Sequence, residues 1–495
     1  MVGHGNQVKV PGEDKVVLED HPLYVEALTN DTIDFPERLT LEMTSYCNLR
    51  CRMCPKTAGH VNTAVNKVIN QEVLERVVPL FSRIETLHLS GLWGEVFLHT
   101  DLYFRILRLA KEAGCEVRTI SNGSLMTRDV SEKLVELGLD DLTISVDAAT
   151  PETYRQIRVG GDFKKLVKQI KRLQKIKKKK GKERPFLHFG FVGMKRNIRE
   201  LPELVKIAAK LGVQSVILQE MGEYEDTRGE SVAFHYRDLG KEVYEEAATL
   251  GRELGVDVAL FPPDQFDDSS LHINPARGNR DDVIRIPPGY RKDCDVPWKE
   301  TVVTTEGDVL PCCSASKPMG NILQTPFEEI WVSQPYQSFR RRLLSSDPPL
   351  MCKTCTGIGW KREVSLSSYL KMGETDGQLA TGWYVYEKNP VWEYGYRWSK
   401  KRGVFFIEVP PGDKRSLNLK MRIAGVQKKG KVLANGRVLG SFDLKESRWE
   451  TVSFELPDEM GIDGVLRVEV IVDNPSREGG DRRSLGVAVA EAFFS

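Results

Sequence analysis

No stretch of this 495-residue chain runs apolar for the roughly 18–20 residues that a membrane-crossing helix requires. The segment Met1 to Val17 is polar and mixed in charge, without the apolar core or cleavage pattern of a secretory signal. Net charge is almost absent: 71 Lys and Arg stand against 70 Asp and Glu. That balance gives no footing for nucleic acid or an anionic membrane as the main partner. There is no internal repeat and no long low-complexity tract. Cysteine is sparse, nine residues in all, and those nine are not scattered. Cys47, Cys51 and Cys54 form one group, Cys294, Cys312, Cys313, Cys352 and Cys355 another, and Cys115 stands alone. Without a secretion signal the chain is expected in the cytoplasm, where clustered cysteines point to metal or redox chemistry rather than to disulfides.

What is present is an ordered alternation. From Leu39 to Val258, short β-branched runs (Leu39–Met43, Thr86–Ser90, Glu116–Ile120, Asp141–Val146, Phe186–Val192, Gln214–Leu218) alternate with amphipathic segments of helical length. Strands separated by helices imply parallel pairing, because each return crossover needs a helix. Six such units predict an α/β fold, a partial (β/α)6 TIM-like barrel over residues 36–260, with its functional residues at the C-terminal strand ends. Residues 1–35 are left as an N-terminal extension and 261–289, rich in Pro, Asp, Ser, Asn and Gly, as a linker or active-site loop. A small α+β cysteine module over 290–362 follows. From 375 to 495, short alternating runs broken by turn signals such as Asn435-Gly436 predict an antiparallel β-sandwich. The Lys177–Lys180 run reads as a solvated helix end, favoured by the helix dipole, and Cys115 as a core residue.

The segment Thr44-Ser-Tyr-Cys47-Asn-Leu-Arg-Cys51-Arg-Met-Cys54-Pro carries the strongest signal. Iron–sulfur cubanes usually take four thiolates. Three, spaced by three and two residues on a loop after the first strand, leave one iron open. The amino and carboxylate groups of S-adenosylmethionine (SAM) can fill it, bringing the sulfonium to the cluster. At these residues the chain resembles the radical SAM superfamily. That resemblance implies a [4Fe–4S] cluster on Cys47, Cys51 and Cys54, with Tyr46 adjacent. It also implies a SAM amino-group turn at Gly94-Glu95, here with Trp93 and Val96 in place of the usual Gly and Pro. The same resemblance implies a turn near SAM at Thr119-Ile-Ser121-Asn122-Gly123, Ser145 near its ribose or carboxylate, Arg158 on the carboxylate, and Gln219 against adenine. Asp147 has an alternative role as cap of the following helix.

The second group opens Cys294-Asp-Val-Pro-Trp298, continues through a predicted hairpin to Cys312-Cys313, then through a predicted helix Pro326–Leu344 to Cys352-Lys-Thr-Cys355. Spacing alone allows a tetrahedral zinc site or a second [4Fe–4S] cluster. With Gly-Asp-Val-x-Pro-Cys-Cys and Gly320-Asn-Ile in order, the module resembles the SPASM auxiliary-cluster domain. Lacking cysteines after Cys355, it is closer to the shorter "twitch" form. The implied ligands are Cys294, Cys312, Cys352 and Cys355. Cys313 is an alternative ligand, an inert thiol, or the hydrogen donor of an epimerase.

The terminal segment is dense in aromatics (Trp383-Tyr-Val-Tyr386, Trp392, Tyr394, Tyr396-Arg-Trp398) and carries Asp481-Arg-Arg-Ser-Leu-Gly486. These rings either fill a sandwich core or stack on sugars. The signatures loosely resemble β-sandwiches fused to glycan-biosynthesis proteins. The expected activity is reductive SAM cleavage, by an electron from a flavodoxin or ferredoxin, and hydrogen abstraction from a sugar, cyclitol or glycan-linked carbon. Oxidation or epimerisation follows. Maturation of a ribosomal peptide is the alternative enzyme, and a non-catalytic glycan-binding protein the alternative of another class.

Overall fold

The computed structural model describes residues 35–59, 66–90, 92–224, 227–263, 265–266, 270–271, 290–292, 294–344, 348–353, 355, 360–362, 368–373, 383–388, 392, 394–410, 416–457, 465–476 and 485–495. The expected N-terminal extension up to residue 34, most of the 261–289 linker, Gly91, and Asp481–Ser484 lie outside these. Two compact units form, one of Thr32–Arg362 and the other built on Glu363–Ser495.

In the first unit, seven strands pair in parallel and in sequence order: β1 (Arg38–Glu42), β2 (Thr86–Ser90), β3 (Glu116–Ser121), β4 (Asp141–Ser145), β5 (Phe186–Val192), β6 (Ser215–Gln219) and β7 (Asp257–Phe261). The seventh extends the six expected; its apolar run is short and directly precedes Pro262. Between the strands run α1 (Gln71–Val77), α2 (Thr100–Glu112), α3 (Arg128–Glu136), α4 (Pro151–Ile157) with α5 (Phe163–Lys180), α6 (Leu201–Leu211) and α7 (Arg237–Leu254). Local chemistry sets their ends. Thr127 and Asp162 accept from the amides of Val130 and Lys165 at the starts of α3 and α5. Gly181, Gly212 and Gly255 take the left-handed conformation that closes α5, α6 and α7. Of the Lys177–Lys180 run, Lys177 is not solvated: it is buried and donates to Pro185 O at 2.8 Å.

Alternation along the strands separates two faces. Leu39, Leu41, Leu87, Leu89, Leu142 and Leu187 enter one core with the apolar helix faces. Each fully buried side chain of this kind contributes about 1.5–3 kcal/mol. Cys115 joins that core, its thiol against Phe81 O at 2.9 Å.

The cysteine module is not a separate body. Its strand β8 (Glu300–Val303) pairs in parallel with β1, then β9 (Asp308–Leu310) and β10 (Gly320–Asn321) add antiparallel, so one ten-stranded sheet runs β10-β9-β8-β1-β2-β3-β4-β5-β6-β7. The expected single helix Pro326–Leu344 is two, Phe327–Trp331 and Gln334–Leu344. Pro335 cannot continue a helix entering from its N-terminal side but suits the first turn of a new one.

The second unit is the expected antiparallel sandwich. One sheet orders strands 383–388, 395–399, 488–494, 416–422 and 450–455, and the other 402–408, 465–472, 428–434 and 437–444. Phe405, Leu419, Met421, Val432, Val468 and Phe494 fill the space between them.

Candidate active site

After β1 the chain enters the loop that carries the first three cysteines. Their thiols share a small apolar pocket with Leu49, Met53, Ile157, Met194 and Met221. All three are free, Cys51 is buried, and Cys54 N donates to Cys51 O at 3.1 Å. Desolvation pushes the Cys47 and Cys51 thiols upward; Cys47 also feels Cys54, and Cys51 feels both of its partners. Among the described residues no three Cys, His, Asp or Glu side chains close on a single-ion shell. The thiols are near enough to sense one another's charge. Three sulfur donors in an apolar setting, Cys47 and Cys51 desolvated, suit a multi-iron cluster, whose cations offset the cost of ionising buried thiols.

The turn after β2 is stitched to this loop. A side chain at Gly94 would collide with the carbonyl oxygens of Thr44 and Tyr46, and Glu95 N donates to Tyr46 O at 2.6 Å. Glu95 is 1% exposed, and its carboxylate accepts from Ser121 Oγ at 2.7 Å, Asn122 N at 2.8 Å and Phe97 N at 3.2 Å. Burial, opposed by these bonds, leaves its pKa raised. Ser121 Oγ also accepts from Gly123 N, and Asn122 Nδ2 donates to Asn48 Oδ1 at 3.0 Å inside the cysteine loop. Glu95, Ser121 and Asn122 therefore spend their side chains on one another and on the loop. They form the bracket behind the site. Asn48, which sequence reasoning did not single out, is the link between that bracket and the cysteines.

Arg158 and Asp147 also differ from expectation. The Arg158 guanidinium binds Asp147 Oδ2 through Nε and approaches Cys51 Sγ at 3.5 Å through Nη1. Asp147 does not cap α4; Thr150 does, accepting from Thr153 N. Asp147 instead holds a left-handed φ of 58° and accepts from Val192 N at 2.7 Å. Asn197, another residue without a sequence signal, donates to Asp147 O and Val192 O, both at 2.9 Å.

Ser145 and Gln219 end β4 and β6, and both are half-buried. They flank Gly190 of β5, where an added Cβ would lie 3.8 Å from Gln219 Oε1. Tyr46 is exposed, its ring edge-on to His99 at 5.7 Å.

The second cysteine group gathers at the other end of the strands. Leu310 pairs with Val302, so the chain beyond it, at Cys312 and Cys313, runs back toward Glu300, the first residue of β8. Desolvation raises the thiols of Cys294 and Cys312; Cys294 feels Cys355 and Cys352, and Cys312 feels Cys313, Cys355 and Cys294. Cys313 keeps solvent contact although heavy atoms surround its thiol. That enclosure, then Glu300 and Cys355, pushes it up to about 11. Five sulfurs thus share one neighbourhood, with Cys355 Sγ 3.9 Å from Ser314 Oγ. Arg340, fully buried between the rings of Trp331 and Tyr336, donates to Pro297 O and Trp331 O and fixes the turn after Cys294.

Between the two groups lies the polar face of the sheet. Glu300 meets Arg38 Nε at 3.3 Å and Thr40 Oγ1 at 3.4 Å. Arg118 lies 3.6 Å from Asp141, which meets His188 Nε2 at 3.0 Å, and His188 Nδ1 meets Ser215 Oγ at 2.7 Å. His88 Nε2 is enclosed with no hydrogen-bond partner among the described residues.

A parallel sheet thus carries three loop cysteines at its C-terminal end and a second thiol group at the other end. Residues 41–208 match the family described as the radical SAM superfamily, and residues 294–356 match SPASM, described as an iron–sulfur cluster-binding domain. The chain thus carries a radical SAM domain and a SPASM domain. Its cofactors are accordingly SAM, a [4Fe–4S] cluster and auxiliary iron–sulfur chemistry. It is 28% identical over 310 residues to an AdoMet-dependent heme synthase of Methanosarcina barkeri, covering 60% of this chain and 82% of that one. It is 28% identical over 185 residues to a tungsten-containing aldehyde ferredoxin oxidoreductase cofactor-modifying protein of Pyrococcus furiosus, covering 37% of this chain and about half (51%) of that protein. Among solved structures, Streptococcus suis SuiB bound to S-adenosylmethionine aligns with a TM-score of 0.49 at 17% identity, covering 66% of this chain and 73% of SuiB. No helix among the described residues is long and apolar enough to cross a membrane.

Proposed function

We propose that this chain oxidises a carbon centre of a polar, hydroxylated substrate, a sugar, cyclitol or glycan-linked group, held on the polar face between two clusters. Cys47, Cys51 and Cys54 hold the SAM-binding cluster, and Cys294, Cys312, Cys352 and Cys355 the auxiliary one. When bound, these groups supply hydrogen-atom abstraction from carbon at one end and an electron acceptor at the other. The chain's own residues do the rest. The Glu95 bracket fixes the cysteine loop, Ser145 and Gln219 face the cofactor, and Arg38, His88, Arg118 and Glu300 offer hydroxyl partners.

One observation carries the reading: the two thiol groups stand at opposite ends of the same strands. Strand β1 separates them by roughly 15 Å at about 3.3 Å per residue, room for one small substrate between. The unpartnered His88 Nε2 adds a hydrogen-bonding position that protein atoms leave open. Oxidation needs an electron acceptor beside the substrate, which the second thiol group would hold; Cys313, which feels Glu300 and Cys355, is the thiol that epimerisation would use instead. The electron donor is a cytoplasmic flavodoxin or ferredoxin.

In the second unit, Trp383 belongs to the sandwich core, its Nε1 donating to Val404 O at 2.8 Å. Trp392, Tyr396, Trp398 and Trp449 form a separate cluster, with Arg422 over Trp392 at 4.2 Å and Lys420 over Tyr394 at 3.6 Å. Trp449 Nε1 and Arg422 Nε have no hydrogen-bond partner among the described residues. We assign this aromatic and cationic cluster to glycan binding.

The test is anaerobic reconstitution followed by incubation with candidate sugars and cyclitols in D2O. Loss of two hydrogens from the product supports oxidation. Solvent deuterium at an inverted centre replaces it with epimerisation, and turnover only of peptides removes the sugar reading.

A further inference from the structure

The ion pair beside Cys51 has no part in the reading above, although it touches a proposed cluster ligand. Backbone and side chain converge there. Residues 50–51 and 158–159 form a short antiparallel ribbon with Cys51 opposite Arg158, and Arg52 N donates to Ile157 O at 2.9 Å. Gly161 N donates to Arg158 O at 2.8 Å, and a side chain at Gly161 would collide with the Tyr154 ring, so the Gly160-Gly161 turn keeps the ribbon in place. Arg158 is thereby tethered beside Cys51 before its side chain is considered.

The side chain is then aimed. Asp147 is fully buried, held by Val192 N on one carboxylate oxygen and by Asn197 on its own carbonyl, and it grips Arg158 Nε with the other oxygen. The guanidinium is planar, so fixing Nε fixes the direction of the outer nitrogens. One of them, Nη1, points at Cys51 Sγ from 3.5 Å. Asp147 balances the charge of Arg158, which leaves a directed N–H rather than a bare cation beside the sulfur. In a buried setting such a bond is strong. A hydrogen bond to a ligating thiolate withdraws electron density from the metal–sulfur bond and favours the reduced cluster.

We infer that Arg158, aimed by Asp147, is a positioning residue that donates a fixed hydrogen bond to the Cys51 sulfur and raises the reduction potential of the SAM-binding cluster. This rests on the assignment of Cys51 as a cluster ligand. It replaces the simpler role for Arg158, capture of the SAM carboxylate, and the two roles are separable by experiment.

The experiment is a redox titration of the reconstituted full-length enzyme, following the electron paramagnetic resonance signal that changes when SAM is added. Iron content and SAM dissociation constant are measured on the same samples. Arg158→Gln, and the Arg158→Gln, Asp147→Asn double variant that leaves no unpaired buried charge, are expected to shift the midpoint to more negative potential while iron content stays near wild type. Arg158→Lys keeps the charge but loses the fork, and is expected to remain shifted. A wild-type potential in both Gln variants, with SAM binding weakened tenfold or more, overturns the inference in favour of carboxylate capture. A wild-type potential restored by Arg158→Lys overturns the directed bond in favour of bare charge. Should Arg158→Gln fail to hold iron, the double variant and Arg158→Lys decide alone. A wild-type chain with no SAM-responsive signal sinks the assignment of Cys51, and with it the reading on which this one stands.

Discussion

Glu95 sits where three donors converge, and no water reaches it. Removing its charge at constant shape turns one acceptor oxygen into a donor facing N–H or O–H groups. Hydrogen bonds to charged groups contribute about 1.5–3 kcal/mol each. Glu95→Gln is therefore expected to lower stability by about 2–3 kcal/mol and to reduce iron loading, read by urea unfolding and iron assay. Cys313→Ala is the complementary case. Its thiol faces Glu300 and Cys355 and is not in the proposed ligand set. The variant is expected to keep both clusters and full turnover to a product two hydrogens lighter, checked by iron count and mass; complete loss of turnover with both clusters intact restores the epimerase role. At this scale the sequence was legible only where chemistry is intrinsic to residue type and spacing. Cys47, Cys51 and Cys54 announce themselves. For Glu95, Ser121 and Asn122 the spacing suggested the cofactor but not their bonds to Phe97 and Asn48, because such partners are set by folding and not by spacing. The pairing of Arg158 with Asp147 was hidden for the same reason: Asp147 adopts a left-handed backbone that no pattern signals.

Among elements, the turn after β2 is the most constrained. Gly94→Ala would press a methyl group into two carbonyl oxygens of the cysteine loop. Overpacking of this kind costs about 1–3 kcal/mol, and here the strain falls on the loop. The expected result is a lower melting temperature with a larger proportional loss of bound iron. The polar sheet face makes a pH-dependent contribution. Burial opposes the charge on Asp141, but the His188 hydrogen bond and the Arg118 cation outweigh it and hold the carboxyl below its ordinary range. An acid depressed in the folded state stabilises the fold above its unfolded pKa of about 3.9, and that contribution is lost as pH falls through the folded value. Asp141→Asn is expected to be less stable than wild type at pH 7 and to show a flatter loss of stability below about pH 4, read from urea midpoints. Most elements of the first unit were readable because buried parallel strands and amphipathic helices have distinct periods. The sandwich strands Trp383–Lys388 and Gly395–Ser399 were not singled out, since their Trp and Tyr residues fit either a core or a sugar-stacking surface. Trp383 packs in the core between the sheets, and Trp398 in a separate buried aromatic cluster.

For the molecule as a whole, the decisive feature is the pairing of β8 with β1, which makes the auxiliary cysteines part of the barrel's own sheet. Barrel enzymes usually work from the C-terminal strand ends. Here a second thiol group lies at the N-terminal ends, and the polar face between is the reaction space proposed above. Sequence order gave no hint of this, because roughly 250 residues separate β1 from β8 and register between distant strands is a product of the fold. The division into two units predicts independence of function: a chain ending at Arg362 is expected to retain SAM cleavage while losing glycan binding, checked on the truncated and full-length proteins side by side. The most direct test of the central claim is 5′-deoxyadenosine release from anaerobically reconstituted protein given SAM and a strong reductant. Wild type is expected to release it and the Cys47→Ala, Cys51→Ala, Cys54→Ala triple variant to release none. Equal release from both, or none from wild type with its iron fully loaded, would contradict the account.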